Sequence, residues 1–255
     1  MSHETLHLVV PGLLSPPQGT HGSDKLRAST LEKFLNLCSV SDADRDYEHQ
    51  LFSLMGLPQD TAAAPYAYLG DGGYPGEDVW MQADPVHMKT DLTRLLLFEG
   101  KNLDISLDEA DALAEEFNDH FEDDGLELYV PHAERWYFLL DEIPNIETHP
   151  VAKVSGRSPD AFMPTGEDAT FWQSMLMETQ MLFHGSEVNR ERAAHGKPPV
   201  NSLWIHSPGR QAASLTPVVH FKTVVADDPL ALGLARRLVL LKPKSLKRYR
   251  PMCCV

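Results

Sequence analysis

Two segments between residues 79 and 140 carry the clearest pattern in this chain. They are VWMQADPVHMKTDLTRLLLF (79–98) and SLDEADALAEEFNDHFEDDGLELYVPHAERWYFLL (106–140). Residues 79–88 and 94–98 are largely apolar runs, which predict two strands, and residues 126–130 and 135–140 predict two more. Between the two pairs, apolar residues recur at helical spacing from position 110 to position 121. The order strand–strand–helix–strand–strand predicts an α+β module.

The helix at the centre of this module carries its own start signal. Ser106 and Glu109 stand three positions apart and form a capping box, in which the two side chains satisfy free backbone N–H groups. The apolar side of the helix predicts that Phe117 and Phe121 are buried against the two strands that come after it.

Further elements are predicted on both sides of the module. A buried strand is expected at residues 6–10, followed by a loop at 15–23 and by helices within 26–38 and 42–55. The glycine-rich stretch 70–76 predicts a loop. Beyond the module we expect helices at 167–183, 187–195 and 229–241, and strands at 203–206 and 218–225.

Composition and charge exclude several classes of protein. The chain has 255 residues, of which 42% are hydrophobic, so it has enough apolar side chains for a folded core. It carries 22 Lys and Arg against 37 Asp and Glu, a net charge of −15. Phosphates and anionic lipid surfaces repel such a chain, so we expect neither nucleic acid nor a membrane as a partner.

The cysteines and the N-terminus favour a cytoplasmic protein. Cys38, Cys253 and Cys254 do not form a disulfide framework, which favours reduced thiols. The first residues lack the basic and apolar regions of a signal peptide, and the sequence contains no apolar run long enough to span a membrane.

Acidic and basic residues are unevenly distributed. Residues 99–147 contain sixteen acidic and two basic residues, which indicates either the solvated face of the capped helix and its loops or a cation site. Residues 236–255 contain seven basic residues and no acidic one, and positions 242–255 form a basic tail.

General catalytic motifs are absent from the sequence. It contains no phosphate-binding loop, no His-Glu-x-x-His, no Gly-x-Ser-x-Gly and no Cys-x-x-Cys, so catalytic residues are unassigned and no metal or cofactor is predicted. Asp84 and His87 lie three positions apart with a proline between them, which predicts opposite faces of a strand. This favours a structural role, with Asp84 accepting local hydrogen bonds, over a metal site.

The most distinctive candidate site lies between residues 187 and 205. A short basic helix ends at a glycine, and Arg190, Arg192 and Lys197 could gather around a phosphate or carboxylate. The alternative is that the arginines are solvated and that Asn189 and Asn201 cap backbone turns.

The same region resembles a signature of the archaeal-type cofactor-independent phosphoglycerate mutases. In that family a run of the form HPVN..R...GK.PAN.IWLWG.G leads from an inserted domain back to the core. This chain is similar at Val188-Asn189, Arg192, Gly196-Lys197, Pro199, Asn201-Ser202, Leu203-Trp204 and Gly209, and it departs at 205–208.

The resemblance extends upstream to residues 105–110 and 164–166, so that about 80–209 is colinear with the inserted domain. Residues 83–87 and 198–202 are similar to a divergent bacterial group, the RpfE-type regulatory proteins, which the chain resembles more closely still.

The resemblance implies an α/β fold with a partial alkaline-phosphatase-like core and an inserted α+β domain. The core remnant would comprise residues 1–78 and 203–241, and the inserted domain residues 79–202. Enzymes of this family use two divalent metals and a serine that is phosphorylated and then passes on the phosphoryl group.

The chain departs from the family at its catalytic elements. Val10-Pro11-Gly12 stands where the family has a metal-binding Asp-Gly, and the region of Tyr47 and Glu48 lacks the Gly-Ser-Asp turn. For the C-terminal ligands, only Asp227 and Asp228 lie beyond residue 225, and no histidine occurs after residue 220.

These departures predict a catalytically silent relative that binds a phosphorylated metabolite or a protein partner. Its candidate ligand-binding residues are Arg192, Lys197, Asn201, Asn189 and Arg190. The alternatives are an active metal-dependent mutase or phosphatase with a rearranged site, and a purely structural chain that binds nothing small.

Overall fold

A computed structural model describes residues 6–11, 29–38, 46–91, 94–212, 221, 223–238 and 244–245. Its contacts separate the chain into two units, residues 1–51 and residues 52–255. The sheet and the features built on it lie in the second unit.

Five antiparallel strands form the main sheet of this unit. They are β1 (Val79–Asp91), β2 (Arg94–Glu99), β3 (Glu127–His132), β4 (Arg135–Leu140) and β5 (Ser202–Gly209). Strand β1 pairs with β2, β4 and β5, while β3 pairs with β4. The five strands include all four of the predicted module and the one predicted at 203–206.

The helices of the described chain have the following bounds. They are α1 (Ser29–Leu35), α2 (Tyr47–Met55), α3 (Ala64–Asp71), α4 (Leu107–His120), α5 (Val151–Val154), α6 (Ala169–Gly185), α7 (Glu187–Ala194) and α8 (Pro229–Arg237). Two short strands, β6 (Val225–Ala226) and β7 (Lys244–Ser245), form a separate parallel pair. The α/β class is confirmed, in the form of a mixed α/β structure with a mostly antiparallel sheet.

Helix α4 begins at the predicted capping box. The Glu109 amide donates to Ser106 Oγ at 3.1 Å, and the Ser106 amide donates to Glu109 Oε2 at 2.8 Å. The two side chains therefore satisfy N–H groups that the first turn of the helix leaves free.

The main core lies between α4, α6 and the first face of the sheet, which carries Val79, Met81 and Ala83 of β1. Phe117 and Phe121 of α4 are buried, and the ring centroid of Phe117 lies 5.3 Å from that of Phe138 on β4. The predicted burial of both phenylalanines is confirmed.

Helix α3 covers the second face of the sheet and packs against α8. The Tyr68 ring of α3 stacks on Trp80 of β1, with centroids 4.0 Å apart. A Cβ at Gly70 or Gly233 would overlap backbone atoms of the other helix, so these glycines permit the close approach. Helix α3 was not predicted, because a helix buried on most sides lacks the apolar–polar period that identifies a surface helix.

The predicted buried strand at residues 6–10 is wrong. These residues are irregular and exposed, with Leu6 at 81% and Leu8 at 62%. A short apolar run becomes a strand only where another strand satisfies its backbone groups, and the described sheet is built without it.

Several predicted elements are only partly covered by the described residues. Strand β6 begins at residue 225, while 218–220 and 222 of the predicted strand lie outside the described residues. The same applies to the predicted loop at 15–23, to residues 239–241 of the last helix, and to Cys253 and Cys254. The predicted domain boundaries stay a prediction. None of the helices described is both long and apolar enough to cross a membrane.

We expect Phe117→Ala to destabilise the protein by about 3–5 kcal/mol, because the substitution leaves a cavity in the main core. Leu107→Ala is the matched control on the same helix, because Leu107 is 48% exposed and its truncation opens no cavity. Urea unfolding of both variants measures the difference. Equal midpoints for the two variants would contradict this assignment of the core.

Candidate functional site

Arg192, the central residue of the predicted anion site, is buried and fully engaged with the protein. Its guanidinium donates to Glu109 Oε2 at 2.6 Å, to Leu103 O at 2.6 Å and to Pro198 O at 2.9 and 3.1 Å. The side chain is 0% exposed. The pairing with Glu109 compensates its charge, and the carbonyls fasten α7 and the following turn to the start of α4.

Lys197 and Arg192 both approach Asp104. Lys197 Nζ is 2.9 Å from Asp104 Oδ2, and Arg192 Nη1 is 3.4 Å from Asp104 O. The hydrogen bond and charge of Lys197 lower the pKa of Asp104. The carboxylate that Lys197 faces in this structure therefore belongs to the chain itself.

The two asparagines of the motif bind backbone groups. Asn189 Nδ2 donates to Phe183 O and Val200 O at 2.8 and 2.7 Å, and its Oδ1 accepts from Val200 N at 2.9 Å. Asn201 accepts from Met88 N at 2.7 Å and donates to Met88 O at 2.8 Å. These contacts match the alternative in which the asparagines tie down the chain.

Arg190, the remaining candidate, lies on the exposed side of α7. It pairs with Glu187 one helical turn earlier, and both side chains are 66% exposed. The structure therefore groups Arg192 with Lys197 and leaves Arg190 apart. Binding of an external anion by these residues stays a prediction.

Asp84 and His87 take separate roles, but Asp84 does not act locally as predicted. His87 Nδ1 lies 2.9 Å from Pro199 O, and burial lowers the pKa of His87. Asp84 is buried on the second face of the sheet, where Oδ2 lies 3.0 Å from His206 Nε2 on β5. The expectation of local hydrogen bonds is corrected, because the adjacent strand β5 brings a donor from 122 residues away.

A second polar cluster on the same face was not predicted from the sequence. Arg135 binds both carboxylate oxygens of Asp71, and Tyr137 Oη donates to Asp71 Oδ2 at 2.7 Å. Burial and the nearby Asp71 charge raise the pKa of Tyr137 well above its ordinary value. Burial opposes the charge on Arg135, but the hydrogen bond to Asp71 raises its pKa.

This cluster fastens α3 to strand β4. Both carboxylate oxygens of Asp71 on α3 accept hydrogen bonds from side chains of β4, which links the two elements. The guanidinium of Arg135 also compensates the charge of the buried carboxylate. The signal present in the sequence was the alternation at 135–138, where polar-tipped Arg135 and Tyr137 alternate with Trp136 and Phe138.

Groups that could hold a metal ion were sought among the side chains of the described segments. No set of three or more His, Cys, Asp and Glu side chains there has the required arrangement.

Comparison with known proteins gives a distant relationship to one family. No protein-family model matches the chain. It is 25% identical over 107 residues to the 2,3-bisphosphoglycerate-independent phosphoglycerate mutases of Methanosarcina mazei and Methanosarcina acetivorans, a match that covers 41% of this chain and 27% of each relative. For the enzyme of Methanosarcina barkeri the match is 25% over 115 residues, or 44% of this chain and 29% of the relative.

The matched segment therefore spans less than a third of the length of these curated relatives. Among solved structures, the chain is similar to the cofactor-independent phosphoglycerate mutase of Thermoplasma acidophilum, at a TM-score of 0.38 and 17% identity, over 79% of this chain and 56% of that one. It is also similar to the PH0037 protein of Pyrococcus horikoshii, at a TM-score of 0.42 and 16% identity. That match covers 81% of this chain and 48% of the other.

We expect Arg192→Ala to cost about 3–5 kcal/mol of stability, because it removes the charge partner of Glu109 and the guanidinium that donates to Leu103 O and Pro198 O. Arg190→Ala is the matched control, since an exposed pair contributes about 0–1 kcal/mol. Urea unfolding compares the two variants. If Arg192→Ala were as stable as the control, its structural role would be disproved.

Proposed function

We propose that this chain is a relative of the phosphoglycerate mutases that no longer interconverts phosphoglycerates and acts by binding a protein partner. The observation that carries the proposal is a pair of exposed apolar side chains one turn apart on α6, Met177 and Met181, which we call the ridge. They are 66% and 78% exposed.

Loss of phosphoryl transfer is supported by the residues that stand at the family's catalytic positions. Transfer of a phosphoryl group requires metals to neutralise the charge on the group and to activate the nucleophile. Pro11 stands where the resemblance places a ligand carboxylate. The motif residues that do match, above all Arg192 and Asn201, are used to hold the fold together. The sequence likeness therefore has a structural explanation that needs no catalysis.

The ridge is unusual because it adds two neighbouring methionines to the outer, otherwise largely polar side of α6. Its inner side buries Trp172, Met175, Leu176 and Phe183 in the main core. A helix that covers a core is normally polar on its outer side, so clustered apolar residues there favour an interaction surface. Methionine side chains are flexible and polarisable, which suits a surface that adapts to a partner.

The surroundings of the ridge indicate the chemistry of the partner. A shallow groove of about 380 Å³ beside the ridge is lined by Met177 and Met181 and by the His120–Glu178 pair, whose atoms lie 2.8 Å apart. The turn after α4 adds three exposed carboxylates, Glu122, Asp123 and Asp124. An apolar ridge beside acidic groups fits an amphipathic helix that carries Lys and Arg next to its apolar side.

We expect no metal-dependent interconversion of 3- and 2-phosphoglycerate above background, measured by a coupled assay on the full chain with added manganese. Turnover near about one per second, within the normal range of enzymes, would establish the alternative of an active mutase. Calorimetric titration of the parent and of Lys197→Met with 3-phosphoglycerate tests whether the chain binds a phosphorylated metabolite instead. Heat that is lost in the variant would favour a phosphorylated metabolite over a protein as the ligand.

We expect the chain to bind a synthetic amphipathic peptide of leucine and lysine, and to bind the matching peptide of leucine and glutamate much more weakly. Fluorescence anisotropy of the labelled peptides measures both, and added salt should weaken the binding because it screens the acidic groups. The double variant Met177→Gln, Met181→Gln should lose most of the affinity.

The matched control for this variant is Ile143→Gln, which alters an apolar residue that is 54% exposed outside the ridge. Equal binding by the control and the double variant would show that the ridge is not the binding surface.

A further inference from the structure

Ser207, near the end of β5, adopts a backbone conformation that side chains rarely accept. Its φ is +56°, and among the described residues only one other non-glycine residue, Asp104, has a positive φ. Left-handed backbone at a serine is unfavourable and persists where surrounding contacts hold it, which is common at reactive sites. Ser207 is partly exposed, whereas the residues before it in β5 are buried.

The hydroxyl of Ser207 is within hydrogen-bonding distance of the imidazole of the preceding residue, His206. Ser207 Oγ is 2.9 Å from His206 Nδ1, and His206 Nε2 is 3.0 Å from Asp84 Oδ2. The carboxylate of Asp84 can only accept from Nε2, which assigns the ring proton to that nitrogen. Nδ1 is then the acceptor for the Ser207 hydroxyl.

His206 and Asp84, which continue the hydrogen-bond chain from Ser207, are shielded from water. His206 is 2% and Asp84 4% exposed, and Asp84 Oδ1 has no hydrogen-bond partner among the described residues. The guanidinium of Arg135 and the phenol of Tyr137, both on β4, also interact with the Asp84 charge. A buried carboxylate whose hydrogen-bonding partner is an imidazole fixes the orientation of that ring and stabilises its protonated form.

We propose that Ser207 is a nucleophile activated by His206 and Asp84, and that it accepts the acyl group of an activated ester. Nucleophile, base and orienting carboxylate in hydrogen-bonding sequence are the arrangement that acyl transfer to serine requires. This activity goes beyond the proposed function and depends neither on the ridge of α6 nor on the motif around Arg192.

The chemical step conserves its atoms. Ser207 Oγ bonds to the ester carbonyl carbon while its proton passes to His206 Nδ1, and the imidazolium is stabilised through Nε2–H by Asp84. The carbon–oxygen bond to the leaving group then breaks, and the leaving alkoxide or phenolate takes up the proton. An acyl-serine and a free alcohol or phenol result.

The backbone around Ser207 limits the rate of acylation and of any later turnover. Ser207 N–H donates to Thr148 Oγ1 at 3.1 Å, and Pro208 has no N–H. The amides that stabilise an oxyanion in many serine enzymes are therefore engaged or absent, so the acceleration is that of a general base, about 10²–10⁴-fold. We therefore expect a single acylation of the serine rather than rapid turnover.

The test uses the full chain with p-nitrophenyl acetate. We expect a burst of p-nitrophenolate equal to one per chain, and a peptide containing Ser207 that has gained one acetyl group by mass spectrometry. Ser207→Ala should abolish both, while Ser174→Ala, which alters an exposed serine on α6, should leave both unchanged. Acetylation confined to lysine or cysteine, or a burst that survives in Ser207→Ala, would overturn the proposal.

Two further variants test the roles behind the serine. His206→Gln should slow acylation about 10²–10⁴-fold, the contribution of a general base. Asp84→Asn should slow it and shift the rate–pH profile to lower pH, because the carboxylate that favours the protonated imidazole is removed. If Asp84 had only a structural role, the folded fraction of Asp84→Asn would show the same rate–pH profile as the parent. Thermal unfolding identifies variants that fail to fold, and Ser207→Ala, altered at a partly exposed position, decides the case if they do.

Discussion

The pairing of β1 with three other strands determines where most other elements of the sheet can lie. Its thirteen residues bind β4, β2 and β5, so the register of β1 places every strand of the main sheet except β3 directly. Because side chains alternate along a strand, Val79, Met81 and Ala83 enter the core under α4 and α6, while Trp80 and Asp84 face the side of α3. A slip of one residue would put Asp84 into the apolar core, so this register is strongly specified.

The motif that relates this chain to the phosphoglycerate mutases extends the same pairing. The Asn201 side chain binds both backbone groups of Met88, so it continues the contact between β5 and β1 beyond the last paired residues. Arg192 and Asn189 then hold α7 and its turn against α4 and the start of β5. The fold needs these contacts whatever the chain binds, so a likeness in these residues does not by itself indicate a shared activity.

Buried charge in this acidic chain is handled pair by pair. Glu109 is paired with Arg192 and Asp71 with Arg135, while Asp84 is hydrogen-bonded to His206, and each pair joins two elements that are distant in sequence. Since an unpaired buried charge is costly, these pairs act as selective links between elements. The third pair differs from the others because the partner of the carboxylate is an imidazole, whose other ring nitrogen lies 2.9 Å from Ser207 Oγ.

Local features of the module could be predicted from the sequence alone. The capping box at Ser106 and the buried side of α4 with Phe117 follow from capping and periodicity, which act over a few residues. Features that depend on distant partners could be established only from the folded chain. These are the absence of a strand at residues 6–10, the helix α3, and the contact of Asp84 with His206 rather than with a local donor. The same holds for Arg192, whose charge and spacing suit an external anion as well as Glu109. The sequence shows which groups can form hydrogen bonds and ion pairs, but packing determines which partners they meet. Arg192 and Glu109 are 83 positions apart, and no local spacing pattern predicts a contact over that separation.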